Sequence, residues 1–123
     1  MILSEKLETS QKTFEKWRTL PFSERQQYLF KLADLLENNA EKFGKNITQE
    51  MNRPLSQSIA EIEKCALMAR YYGNAANILK PEKIKTEYKV SEIHYPPLGV
   101  ILGVMPWNFP FWQVLRFAVP AIL

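Results

Sequence analysis

The sequence predicts an α/β fold in which a layer of helices precedes one strand and one helix of a βαβ unit. Three observations carry that expectation. Residues up to about Glu92 are charged, and most of them place apolar side chains at three-to-four spacing, as amphipathic helices do. Ile84, Thr86, Tyr88 and Val90 then alternate with Lys83, Lys85, Glu87 and Lys89, a period of two with β-branched and aromatic residues on one face. Beyond Pro96 the only charged side chain is Arg116, and Leu98 to Val104 is a continuous apolar run of the kind found in a strand buried on both faces.

The elements follow in order. Leu3, Leu7, Phe14 and Trp17 share one helical face, with Ser10 filling the gap. Leu20-Pro21 closes that helix, because a residue before proline is pushed out of the α region. Ser23 and Gln26 have the spacing of a capping box, and the helix behind it turns Tyr28, Leu29, Leu32, Leu35 and Leu36 inward. Asn38-Asn39 breaks the chain before a shorter helix, Ala40 to Met51, with Phe43 and Ile47 inward. Asn52-Arg53-Pro54 ends it. Ser56 or Ser58 starts a fourth helix whose stripe is Ile62, Cys65, Ala69, Tyr72 and Ala76, with Ile59, Ala66 and Leu79 beside it, and Pro81 stops it. The alternation from Ile84 to Val90 predicts a half-exposed strand, and its parity flips at Ile93 and Tyr95, which a turn or bulge at Ser91-Glu92 explains. After Pro96-Pro97 come the buried strand, a rigid loop Pro106-Trp107-Asn108-Phe109-Pro110, and an apolar helix from Phe111 to Leu123. The segments divide as 1–82, 83–95 and 96–123.

Composition narrows the function classes. With 46% hydrophobic and 24% charged residues the chain is of globular type. The net charge of +3 is small and the signs are interspersed, so no basic stripe for nucleic acid is expected. The single cysteine excludes an internal disulfide and fits a reducing, cytoplasmic setting. The N-terminus lacks the pattern of a secretory signal.

The apolar tail invites a membrane reading, which the residues argue against. Pro97, Pro106 and Pro110, with Gly99 and Gly103, would break a spanning helix and leave backbone groups open in lipid. A strand, a loop at its carboxyl end and a helix fit better, and in open α/β sheets ligands bind at that end of the strands. Met105 to Asn108 would then lie where a ligand sits. A competing reading is a non-enzymatic helical interaction protein whose tail docks on a partner or membrane.

The stretch "YPPLGVILGVMPWNFPFWQVLRFAVPAIL" resembles the aldehyde dehydrogenase superfamily, whose members carry a Pro-Leu-Gly-Val strand, then Pro-Trp-Asn-Phe-Pro and an apolar helix. "EMNRPLSQSIAEI" is similar to the family's Glu-x-Gly-Lys-Pro segment with its following Ala and Glu positions, and the resemblance runs over nearly the whole chain. The tail is closest in character to the succinate-semialdehyde dehydrogenase branch. The resemblance implies a helical start of the cofactor domain, a strand segment of the oligomerisation region, and the first strand and helix of a Rossmann-like cofactor domain. It implies an NAD- or NADP-dependent oxidation of an aldehyde in an intact enzyme that is a homo-oligomer. In that chemistry a cysteine thiolate attacks the aldehyde, preplaced donors meet the charge on oxygen, and a glutamate activates water. Asn108 matches the family's side-chain oxyanion donor. Met105, Pro106, Trp107 and Asn108 match positions that contact the dinucleotide. The nucleophilic cysteine, the general-base glutamate and the remaining cofactor residues fall beyond Leu123 in the family's order. The expectation is therefore an N-terminal fragment, inactive by itself.

Other side chains have plainer readings. Cys65 lies on an apolar helical stripe and reads as a small core residue, not a nucleophile. His94 has no partner at ligand spacing, so no metal site is expected. Phe109, Phe111, Trp112 and Phe117 read as core aromatics, with Phe109, Trp112 and Gln113 as candidate pocket residues. Arg116 is either a helix-surface arginine or the partner of a carboxylate. Asn108, without the resemblance, reads as a loop amide capping the next helix.

Overall fold

The computed structural model describes residues 3–75 and 79–123. The elements are α1 (Leu3–Trp17), α2 (Phe22–Asn38), α3 (Ala40–Met51), α4 (Leu55–Gly73), β1 (Glu82–Lys83), β2 (Glu92–Ile93) and α5 (Pro110–Ile122). They divide into two compact units, Met1–Leu20 with Ala75–Ile101, and Pro21–Asn74 with Leu102–Leu123.

In the first unit α1 is the expected amphipathic helix, but it stops at Trp17, three residues before Leu20. No residue of α1 is buried. Pairs one turn apart support its exposed faces, among them Lys12 with Glu8 at 2.6 Å. The strand expected over Ile84 to Val90 is not formed. Two short strands pair antiparallel instead, Glu82 opposite Ile93 and Lys83 opposite Glu92. The chain between them reverses around residues 87–89. Ile84 N–H donates to Ser91 O at 2.9 Å, and the Thr86 and Ser91 hydroxyls meet at 2.5 Å. The alternation is real, but every residue from Glu82 to Val90 is exposed, so no apolar face holds a longer strand in register. The apolar run Leu98 to Val104 also departs from expectation. It forms no ladder, and Leu98 and Leu102 are 94% and 88% exposed. A strand needs a neighbour to bond with, and none is present among the described residues.

The second unit carries the core. Leu29, Ala33 and Leu36 of α2, Ile47 of α3, and Ile62, Cys65, Ala66 and Ala69 of α4 are buried together with Val119 and Leu123. The α4 stripe matches the expected one, apart from Ala76, which lies outside the described residues, and Leu79, which follows the helix. α4 ends at Gly73, not at Pro81. Gly73 is needed there because a Cβ would come within 2.7 Å of the Phe30 ring. Ser23 and Gln26 form no capping box. α2 begins at Phe22 behind Pro21, and the Gln26 amide instead donates to the Gly73 carbonyl at 2.6 Å, tying α2 to the end of α4. Neither Ser56 nor Ser58 caps α4, which starts at Leu55 behind Pro54. Ser58 is buried and accepts from the Thr48 hydroxyl at 3.0 Å, joining α3 to α4.

Candidate functional site

The site is built where α3, α4 and the loop before α5 converge in the second unit. α3 ends on Asn52, whose left-handed φ of 51° lets the chain turn at once and whose N–H still bonds Thr48 O at 3.0 Å. Arg53 follows, held between that turn and Pro54. Its Nη1 donates to Glu61 Oε2 at 2.5 Å, its Nη2 donates to the main-chain carbonyl of Asn108, and its guanidinium lies 4.4 Å from the Phe109 ring centroid.

Glu61 is the second piece. It sits one turn before Cys65 on the buried side of α4, and its side chain is only 2% exposed. The Oε1 atom accepts from the N–H groups of Phe111 and Trp112 at 3.0 and 2.9 Å. Those are first-turn donors of α5, which have no partner inside their own helix. Pro110 occupies the first position of α5, where a missing N–H costs nothing. A carboxylate at a helix N-terminus also meets the positive end of the helix dipole. Glu61 thus caps α5 from a different helix while pairing with Arg53.

Asn108 lies at the end of this loop. Its carbonyl is taken by Arg53, but its side-chain amide makes no hydrogen bond among the described residues, and the residue is exposed. The capping role open to it in the sequence is filled by Glu61. The N-cap of α5 is Phe109, with no side-chain cap bond. Met105 is half-buried, while Pro106 and Trp107 are exposed, Trp107 at 77%. The N–H groups of Met105, Trp107 and Asn108 donate no hydrogen bond among the described residues.

A cavity of about 420 Å³ opens between α4 and α5, with Lys64, Phe109, Trp112, Gln113 and Arg116 on its walls. The Lys64 ammonium stands 4.0 Å from the Trp112 ring. Arg116 forms no ion pair among the described residues. Gln113 Oε1 is buried without a donor. Phe111 turns away to stack against Phe43 at 5.3 Å.

Cys65 is fully buried, and burial first, then the charge of Glu61, pushes its thiol up to about 12. Such a thiol stays protonated and unreactive near neutrality. His94 pairs with Glu92 at 3.0 Å, and no group of three or more potential metal ligands exists among the described residues. No helix among them is long and apolar enough to cross a membrane.

The sequence pattern alone gives Arg53 and Glu61 no role. The readable signal was Glu61 itself, a carboxylate between Ser58 and Cys65 on the inward face of an otherwise apolar helical stripe.

This arrangement matches one part of solved aldehyde dehydrogenases. The solved structure of a succinic semialdehyde dehydrogenase from Streptococcus pyogenes, in complex with NADP+, matches with a TM-score of 0.91 at 30% identity over 97% of this chain and 27% of that one. An NADP-dependent glyceraldehyde-3-phosphate dehydrogenase from Bacillus halodurans matches with a TM-score of 0.86 at 28% identity over 94% of this chain and 26% of that one. The chain belongs to the aldehyde dehydrogenase family, whose model matches residues 3–123. A probable NADP(+) succinate-semialdehyde dehydrogenase of Synechocystis sp. is 50% identical over 96% of this chain and 26% of its own length. A succinate semialdehyde dehydrogenase of Escherichia coli (strain K12), named for NAD(P)+, is 40% identical over 89% of this chain and 24% of its own length. The chain thus spans about a quarter of the length of the curated relatives it matches. Nothing in these comparisons supports the non-enzymatic interaction reading.

Proposed function

We propose that these residues are the N-terminal part of a cytoplasmic NAD(P)-dependent aldehyde dehydrogenase that oxidises succinate semialdehyde to the dicarboxylate. In this reading Asn108 is an oxyanion donor. The observation that carries it is the state of Asn108: a carboxamide free of internal partners, on a loop held at its own carbonyl by Arg53 and at the next helix by Glu61. A preplaced donor of this kind is worth about 3–4 kcal/mol of barrier where charge develops on oxygen. The NH₂ group of Asn108 would meet the alkoxide formed when a thiolate adds to the aldehyde. That thiolate is not Cys65, whose burial keeps it protonated, so the 123 residues by themselves carry out no oxidation.

Bound NAD(P) supplies the hydride acceptor. Met105, Pro106, Trp107 and Asn108 would hold it, since Met105, Trp107 and Asn108 offer unpaired N–H donors and Trp107 an exposed indole face. Residues 96–123 would form the first strand, loop and helix of a Rossmann-like domain. The bare side chains of Leu98 and Leu102 fit a strand whose neighbours come from elsewhere in a longer protein. Residues 83–95 would serve the oligomerisation region of a homo-oligomer, and residues 1–82 the helical start of the cofactor domain. For the substrate, Arg116 and Lys64 beside an aromatic-walled cavity suit an aldehyde that also carries a carboxylate.

The test is a chimera in which residues 3–123 replace the matching segment of the Synechocystis relative. Succinate-semialdehyde-dependent NADPH formation is expected from the chimera and none from the 123-residue chain. A folded chimera without turnover, or turnover by the chain alone, would overturn the proposal.

A further inference from the structure

Resting on the dehydrogenase reading, we infer that Arg53 is a positioning residue that fixes the Asn108 carboxamide through the main chain, with Glu61 as its anchor. One planar guanidinium makes the two bonds at once. Nη1 takes Glu61 Oε2 and Nη2 takes the Asn108 carbonyl, while the face of the group covers Phe109. The other oxygen of Glu61 takes the N–H groups of Phe111 and Trp112. A single ion pair therefore grips the chain on either side of Pro110. The pair is largely dry, with Arg53 at 14% and Glu61 at 2% side-chain exposure, so its charge-assisted bonds are weakly screened. The base of Arg53 is itself fixed by the left-handed Asn52 and by Pro54.

Neutralising Glu61 needs only a cation. Holding Asn108 as well needs a fork. An ammonium is a point charge on a flexible stem and cannot reproduce the planar bridge or the stacking. Arg53→Lys is therefore the discriminating substitution. It preserves the charge opposite Glu61 and removes the bridge to Asn108.

Two measurements decide the matter. In the ¹⁵N-labelled 123-residue chain, Arg53→Lys is expected to move the Asn108 side-chain NH₂ and the Phe109 N–H signals while those of α2 stay in place. Unmoved Asn108 signals would overturn the inference. In the active chimera, the same substitution is expected to lower kcat roughly 10-fold or more with KM little changed, since a displaced catalytic group acts on the chemical step. In an Asn108→Ala background it should add nothing further, as for residues acting through one another. A full additional loss in that background would show a role independent of Asn108 and also overturn it. Should the NMR signals move while kcat holds, positioning stands and the donor role of Asn108 fails. If Arg53→Lys does not fold, Phe109→Leu removes the stacked ring and leaves the ion pair, and should give a smaller change of the same kind.

Discussion

The Glu61 carboxylate meets the Trp112 N–H at 2.9 Å, so the start of α5 is capped from α4 and not from its own sequence. The loop bearing Asn108 is therefore only as well placed as this contact. Replacing Glu61 by Ala would leave Arg53 without its partner and two helix donors open inside the protein. The expected cost is about 3 kcal/mol, the low end for losing one member of a buried pair, because Arg53 keeps 14% exposure. Glu61→Gln, which retains an acceptor for the N–H groups, should cost less. Urea denaturation of the chain and its two variants measures both.

Gly44 packs α3 onto α4. A Cβ there would lie 2.7 Å from Ile59 Cγ1 and 3.1 Å from the Ile59 nitrogen. Gly44→Ala should gain up to ~1 kcal/mol of helix propensity and lose about 1–3 kcal/mol to overpacking. The net expectation is a lower denaturation midpoint. The backbone contact cannot move aside, so Ile59→Ala should restore only part of the loss.

Cys65 makes a pH prediction with a definite sign. Its folded thiol is raised from the usual 9.0 to about 12. Between these values the unfolded chain releases a proton that the folded chain retains. The stability contributed by the neutral thiol is full below pH 9.0 and is lost as pH rises toward 12. Cys65→Ala should flatten that alkaline limb. In the native chain the thiol should react with a thiol-specific reagent only as fast as the protein opens, and freely in denaturant.

Arg70 of α4 binds Glu37 through Nε at 2.8 Å and Asp34 through Nη2 at 2.6 Å, bridging to α2. The hydrogen bond from Arg70 holds the Glu37 carboxyl below its usual 4.5. The sign is opposite to that of Cys65. This stabilisation is present above pH 4.5 and fades as pH falls through the lowered value. Arg70→Met should reduce the slope with which stability falls as pH drops below 4.5 in a denaturation series, and added salt should do the same, because the pair is exposed.

The legible parts of this protein were the local ones. Ala40 to Met51 forms a helix at the expected bounds, and Ile62, Cys65 and Ala69 are buried on one stripe, because helical hydrogen bonds and spacing are internal to the segment. The loop from Met105 to Asn108 and the helix after it were equally plain, since prolines punctuate them. What failed needed a distant partner. Leu98 to Val104 has strand composition but no neighbouring strand among the described residues, so it joins no ladder and its large side chains stay exposed. Ser23 and Gln26 had capping-box spacing, yet Gln26 found a better acceptor at Gly73, 47 residues away. Arg53 and Glu61 went unassigned for the same reason. Their partners lie 55 and 51 residues along the chain, at Asn108 and Trp112.

The most direct test of the account is kcat for succinate semialdehyde in the chimera carrying Asn108→Ala. Loss of a preplaced oxyanion donor predicts a fall of about 10²–10³-fold in kcat with KM little changed. An unchanged kcat in a folded variant would contradict the assignment of Asn108 and the account built on it.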